Sequence, residues 1–189
     1  MEENFNNDYI ISLANISHKK AIYDFQTKNH LDVTPNENIR QAQVKDIPIF
    51  LTRLIDDEIF LKVKFWILTT KEDKTKIIAC VALSPDPDDI TSAELNTFSV
   101  DPEYRNKGIG KEMISFVLNK ARELKFSRLF LVSTDYMFAA VNIYIKNGFK
   151  LYDVIYIKVV NGTSILSNLE EYTRHTGDKF KATCYELFL

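Results

Sequence analysis

Arg105, Lys107, Gly108 and Gly110 stand together in the hexapeptide RNKGIG, and their chemistry is that of anion binding. Arginine and lysine bring charge that pairs with phosphate oxygens. Glycine lets a backbone approach a ligand closely, because no Cβ intervenes. The chain has five glycines, and two of them fall in this three-residue window. The flanks decide what such a turn can do. Residues 93–100 (AELNTFSV) read as a strand, which Asp101-Pro102 ends because proline cannot donate to a ladder. Residues 111–124 (KEMISFVLNKAREL) have the spacing of an amphipathic helix. A glycine turn leading into a helix start presents free N–H groups and a partial positive charge, which suits a phosphate. The reading is a pyrophosphate cradle.

Two familiar phosphate motifs fail on spacing. The dinucleotide fingerprint GxGxxG would need a third glycine where Met113 stands. The nucleotide P-loop GxxxxGK[ST] would need a glycine at Arg105 and a hydroxyl at Glu112.

The run from Val100 to Gly110 (VDPEYRNKGIG) resembles the acetyl-CoA-binding motif of the GNAT superfamily of N-acetyltransferases, V-x-P-x-x-R-x-x-G-x-G/A. A second element follows in order. Residues 127–133 read as a strand and 138–147 as a helix, in which Tyr144 to Phe149 (YIKNGF) is similar to the family's Y-x-x-x-G-F. Ala140 falls four residues before Tyr144, as in the family. The likeness covers residues 38–189. It implies an α/β (α+β) fold, with a mixed, mostly antiparallel sheet of about seven strands flanked by helices on both faces. It also implies acetyl transfer from acetyl-CoA to a primary amine without a covalent enzyme intermediate. One position departs from the pattern: Met137 stands where family members often carry an asparagine that contacts the pantetheine arm.

The resemblance assigns roles residue by residue. The pantetheine amides would pair with the backbone of Phe98, Ser99 and Val100, like an added strand. The pyrophosphate would meet the loop and helix start at Arg105, Asn106, Lys107, Gly108, Ile109, Gly110 and Lys111, with Arg105 acting by charge. A backbone N–H near Phe98, exposed by a bulge, would stabilise the thioester oxygen as it gains charge. Tyr144 would protonate the departing thiolate. Glu94, six residues before Val100 as in the histone-acetylating branch, would be the base; period-two counting puts it on one face with Asn96 and Phe98. A non-catalytic acyl-CoA-binding or sensory module is the alternative; the retained Tyr144 speaks against it and Met137 for it.

Composition bounds the rest. The 189-residue chain suits one domain, able to bury roughly 70% of its unfolded surface. Net charge is −2, so no basic footprint for nucleic acid is expected. No apolar run approaches the roughly 18 residues of a membrane span. The start MEEN is the reverse of a secretory n-region, and a reducing cytoplasmic (or nuclear) setting is expected. Cys80 and Cys184 form no CxxC pair, and no Cys/His set has zinc spacing, so no metal is expected. Cys80, in IIACVAL, reads as a buried small hydrophobe. A monomer or homodimer is expected.

Residues 1–37 match nothing in the pattern and read as an extension packed on the core, with Ile16, Ile22, Tyr23 and Phe25 forming one face of a short helix. Residues 39–44 read as a first strand. Asp46 would then cap a helix with Pro48 in its first turn and Ile47, Phe50, Leu51 and Leu54 inward. Residues 60–69, 76–83, 149–159 and 179–189 read as further strands, and 164–173 as a helix or structured loop. Two acidic groups, Asp56-Asp57-Glu58 and Asp86, Asp88 and Asp89, read as solvated loop charge or as an attraction for a cationic amine.

Overall fold

The computed structural model describes residues 2–6, 8–50, 56–161 and 163–189 and, except at Asn4 and 46–50, their side chains. Two strands show how the sequence builds two cores. In β3 (Lys64–Thr70) and β4 (Ile77–Pro85) successive side chains point to opposite faces. Trp66, Leu68, Val81 and Leu83 enter one core, while Phe65, Ile67, Cys80 and Ala82 enter another. Strands buried on both faces need helices on both faces. The first core is covered by α4 (Ile109–Glu123) and α5 (Phe138–Lys146). The second is covered by α1 (Lys19–Asp32) and α3 (Asp57–Lys62).

The sheet has nine strands in the order β1-β2-β3-β4-β5-β6-β9-β7-β8. The others are β1 (Glu2–Asn4), β2 (Tyr9–Leu13), β5 (Ser92–Val100), β6 (Arg128–Thr134), β7 (Lys150–Val160), β8 (Thr163–Ser167) and β9 (Lys179–Phe188). Every neighbouring pair is antiparallel except β5–β6, which is parallel. Two further helices, α2 (Glu37–Phe50) and α6 (Leu169–Arg174), lie beside β7 and β8.

The count of nine exceeds the seven strands expected. The segment 1–37 supplies β2, which pairs with the edge of β3, β1, which pairs with β2 in turn, and α1, which buries Ile22, Phe25, Gln26 and Asn29. Ile16 precedes that helix and is exposed. The strand expected at 39–44 is instead the start of α2. Asn36 accepts from the Ile39 N–H, and buried Ile39, Ala42 and Gln43 recur at helical spacing. No helix starts at Asp46, since α2 already runs through positions 46 and 48. The inward facing expected of Ile47 and Phe50 concerns side chains outside the described set, and Leu51 and Leu54 lie outside the described residues. The strand expected from residue 60 begins at Lys64, because Asp56 caps α3 by accepting from the Ile59 N–H at 2.9 Å. Residues 163–167 form β8 and 169–174 form α6, rather than a single helix.

Five of the six acidic residues have local partners. Asp56 is a helix cap, Asp57 pairs with Lys19, and Glu58 lies 3.6 Å from Lys62. Asp89 accepts from Thr91 and Ser92 in the turn before β5, and Asp86 from the Asp88 N–H.

Helix α4 has no side-chain cap, so packing must hold it. It buries Ile109, Met113, Ile114, Val117, Leu118 and Ala121. Each of the larger ones contributes about 1.5–3 kcal/mol on full burial. The helix start is thus fixed in place while its first N–H groups have no acceptor within the helix.

Candidate active site

The site grows from an irregularity in β5. Opposite β4, Cys80 faces Ser99 while Ala82 faces Asn96, so β5 carries one extra residue. That is a bulge, and Thr97 within it has φ +50°. A β-branched residue in the left-handed region costs about 1–3 kcal/mol and persists only where its surroundings hold it. The surroundings come from α1. Gln26, 3% exposed, donates through Nε2 to the Thr97 carbonyl at 2.5 Å and accepts from Ser99 Oγ at 2.9 Å.

On its other side β5 pairs with β6 only over Ser92–Glu94, against Arg128–Phe130. Strand β6 then keeps its full antiparallel partner β9, from Arg128 to Thr134. The two central strands therefore part after Glu94, and residues 95–100 have no β6 partner. This is a slot of main chain in the middle of a sheet.

The bulge also redirects side chains. Ala93 and Leu95 belong to the core beneath α4, so Glu94 between them faces the α1 side. Asn96 joins it there, donating to Ser84 Oγ at 2.8 Å and to the Glu94 carbonyl at 3.3 Å. Beyond the extra residue, Phe98 and Val100 pack against the α4 core instead. Glu94 and Phe98 are thus on opposite faces, not one face, and the reason is the bulge.

At the C-terminal end of β5, Asp101 caps a short 3₁₀ turn (Pro102–Tyr104), and the chain enters the glycine loop. Asn106 has φ +62° and Gly108 φ +84°, both left-handed. Alternating left-handed residues gather successive N–H groups into a concave nest for an anion. Gly108 is the N-cap of α4, and the N–H groups of Ile109, Gly110 and Lys111 have no acceptor within the helix. Ile109 is 2% exposed and packs into the core covered by α4. At Gly110 a Cβ would stand 3.1 Å from Ile143 Cδ1 and 3.5 Å from Phe98 Cζ, so glycine allows α4, α5 and β5 to meet. Lys107 places its ammonium 5.0 Å from the centre of the Tyr104 ring. Lys111 lines a cavity of about 630 Å³ between α4 and the N-terminal strands with Glu3, Phe5, Gly108 and Ser115.

Arg105 is held by three partners. Its Nε donates to the Val100 carbonyl at 3.0 Å, and its Nη2 to Asn29 Oδ1 at 3.3 Å. Its Nη1 lies 2.6 Å from the Asp32 carboxylate. The guanidinium faces α1 rather than the nest, and Asp32 balances its charge. It braces the loop, and it also occupies the Val100 carbonyl. Ser99 likewise spends its hydroxyl on Gln26.

Tyr144 on α5 is 6% exposed, with its ring 5.9 Å from Phe98 and 5.8 Å from Phe149. Its hydroxyl has no hydrogen-bond partner among the described residues. Burial pushes the phenol well above the ordinary tyrosine range, so the group stays protonated at neutral pH. The helix ends where the sequence ends it. Gly148 has φ +91°, and the Phe149 N–H returns to the Tyr144 carbonyl at 3.1 Å, a Schellman closure. Met137 is the N-cap of α5 and supplies no side-chain hydrogen bond there.

The structure thus brings Phe98, Val100, Gly110 and Tyr144 together on one side of the slot and puts Glu94 on the other. Sequence reasoning missed Gln26, Asn29 and Asp32. The signal was present: polar residues on the helical stripe of Ile22 and Phe25.

Residues 29–149 match the Acetyltransferase (GNAT) family. The chain belongs to that family. The match takes in the bulge, the nest and the α5 tyrosine. A 58-residue stretch is 45% identical to an amino-acid acetyltransferase of Pseudomonas syringae pv. syringae, covering 31% of this chain and 13% of that protein. The similarity thus spans only a small part of the curated relatives' length. A GNAT acetyltransferase from Streptococcus pneumoniae superposes with TM-score 0.62 at 16% identity, over 96% of this chain and 99% of its own. Spermidine N-acetyltransferase from Vibrio cholerae, in complex with CoA and spermine, gives TM-score 0.62 at 14% identity, over 97% and 96%. At these identities the likeness is one of GNAT fold. No helix among the described residues is long and apolar enough to cross a membrane.

Proposed function

We propose that this GNAT protein is an N-acetyltransferase that moves an acetyl group from acetyl-CoA directly to a primary amine. The observation that carries the reading is the uncapped start of α4, with left-handed Asn106 and Gly108, set against the stretch of β5 that lacks a β6 partner. An anion nest at the mouth of an open main-chain slot suits a pyrophosphate joined to an amide-rich arm. Main-chain groups from Asn106 to Lys111 would hold the pyrophosphate, and those of Phe98 and Ser99 the pantetheine amides. Arg105 would keep the loop in shape.

The reaction places three demands on the protein. The thioester oxygen gains charge in the transition state, and the Phe98 N–H at the bulge is the donor nearest the chemistry. The departing thiolate needs a proton, which Tyr144 holds in a buried neutral phenol. The incoming ammonium must lose a proton, and Glu94 faces the side away from α5, where an acceptor can approach. The two proton-handling groups on opposite faces suit a transfer that runs across the slot.

The acceptor is a small-molecule amine, a peptide N-terminus or a lysine. Among relatives, the Pseudomonas enzyme is named for amino acids and the Vibrio structure contains spermine. We place the protein in the cytoplasm, as a monomer or homodimer. The test is incubation with acetyl-CoA and an amine panel while free thiol is followed. Acetyl-CoA binding without amine-dependent thiol release from any member would favour a sensory module.

A further inference from the structure

The bulge in β5 is held by a side chain from another element. Gln26 is almost fully buried on α1, and its carboxamide spans Phe98: the Nε2 donates to the Thr97 carbonyl and the Oε1 accepts from Ser99. Burying a primary amide is unfavourable unless it is hydrogen-bonded, and here the two residues flanking Phe98 meet one N–H and the oxygen.

A peptide unit is planar, and its C=O and N–H point in opposite directions. Fixing the Thr97 oxygen against α1 therefore fixes the Phe98 N–H pointing away from α1. We infer that Gln26 is a positioning residue: through the Thr97 carbonyl it aims the Phe98 N–H at the site of the thioester oxygen. The inference rests on the acetyl-transfer reading and adds to it a residue outside both motifs. It also gives the left-handed Thr97 a purpose, because that strained conformation rotates this one peptide out of the ladder.

The test compares wild type with Gln26→Leu, which removes both hydrogen bonds at similar volume, and Gln26→Glu, which sets an oxygen against the Thr97 carbonyl. Loss of one oxyanion donor costs about 10²–10³ in turnover, so a misaimed donor should cost about tenfold or more. The apparent KM for acetyl-CoA should stay within about threefold, since the nest is untouched. The second readout needs no turnover: infrared difference spectroscopy of bound acetyl-CoA, isotope-labelled at the thioester carbonyl. Wild type should show a band lowered by hydrogen bonding, and each variant a band returned toward that of free acetyl-CoA. A purely structural Gln26 would lower stability and leave the band in place. Folded variants with unchanged band and turnover overturn the role of Gln26 while acetyl transfer stands. Should Gln26→Leu not fold, Gln26→Glu decides alone. A wild-type protein that binds no acetyl-CoA overturns both readings.

Discussion

The Arg105 guanidinium and the Asp32 carboxylate meet at 2.6 Å, tying the loop before α4 to the end of α1. Both side chains are partly exposed, so the ion pair alone is worth about 0–1 kcal/mol. The fork matters more, because Arg105 also reaches Val100 and Asn29. Arg105→Lys should therefore behave like Arg105→Ala, since lysine keeps the charge and loses the planar fork. Each should lower the unfolding free energy by about 1.5–3 kcal/mol. Urea denaturation gives the comparison. A Lys variant with wild-type stability and acetyl-CoA affinity would mean that charge alone suffices.

Gly108→Val sets a β-branched residue at φ +84°. A Cβ there meets only Glu112 Oε1, at 3.9 Å, so strain rather than crowding is the cost. The left-handed penalty is about 1–2 kcal/mol, and the nest should flatten to escape it. The expected outcome is a folded protein without measurable acetyl-CoA binding by calorimetry.

Tyr144→Phe removes one hydroxyl and keeps the ring between Phe98 and Phe149. Turnover should fall on the ~10²–10⁴ scale of a positioned acid, towards its lower end because a thiolate leaves readily. Acetyl-CoA affinity should hardly move. Because burial raises the phenol, Tyr144 stays protonated through neutral pH, and no activity loss between pH 7 and about 9 should trace to its ionisation. Steady-state kinetics against pH check both points. Turnover within about threefold of wild type would return Tyr144 to a packing role.

Cys80 gives a pH dependence of stability. Burial pushes its thiol up to about 12, from an ordinary value of 9.0. In the unfolded chain it ionises first, so the unfolded state binds fewer protons as pH rises through this window. Stability is then fully present below pH 9 and falls between pH 9 and about 12, by at most about 1.4 kcal/mol per pH unit. Cys80→Ala should flatten that part of the curve in denaturant titrations made across it.

The catalytic half of the chain was legible because its signals are local. Glycines at 108, 110 and 148 each serve a turn or a close approach, and the strand–loop–helix order around them follows from pattern alone. The first half was less so. The 39–44 run could be read with either period, and its helix is settled by contacts with Val159 and Phe180, more than a hundred residues away. Glu94 was placed by counting twos, and one extra residue at Thr97 overturned the count. Arg105 was read as bare charge because Asp32 and Asn29 are distant in sequence. Long-range partners, not propensities, separate the expectations that held from those that did not.

Strands β5 and β6 share three paired positions and then diverge. A sheet interrupted at its midline is an incomplete solid, and the proposed co-substrate has the shape and the amides of the absent rung. On that reading, acetyl-CoA is a structural component as much as a reactant. At roughly a hundredfold excess over its dissociation constant, mass action alone would raise the unfolding free energy by about 2.7 kcal/mol. The supply of acetyl-CoA would then set how long each molecule of this protein survives as well as how fast it works.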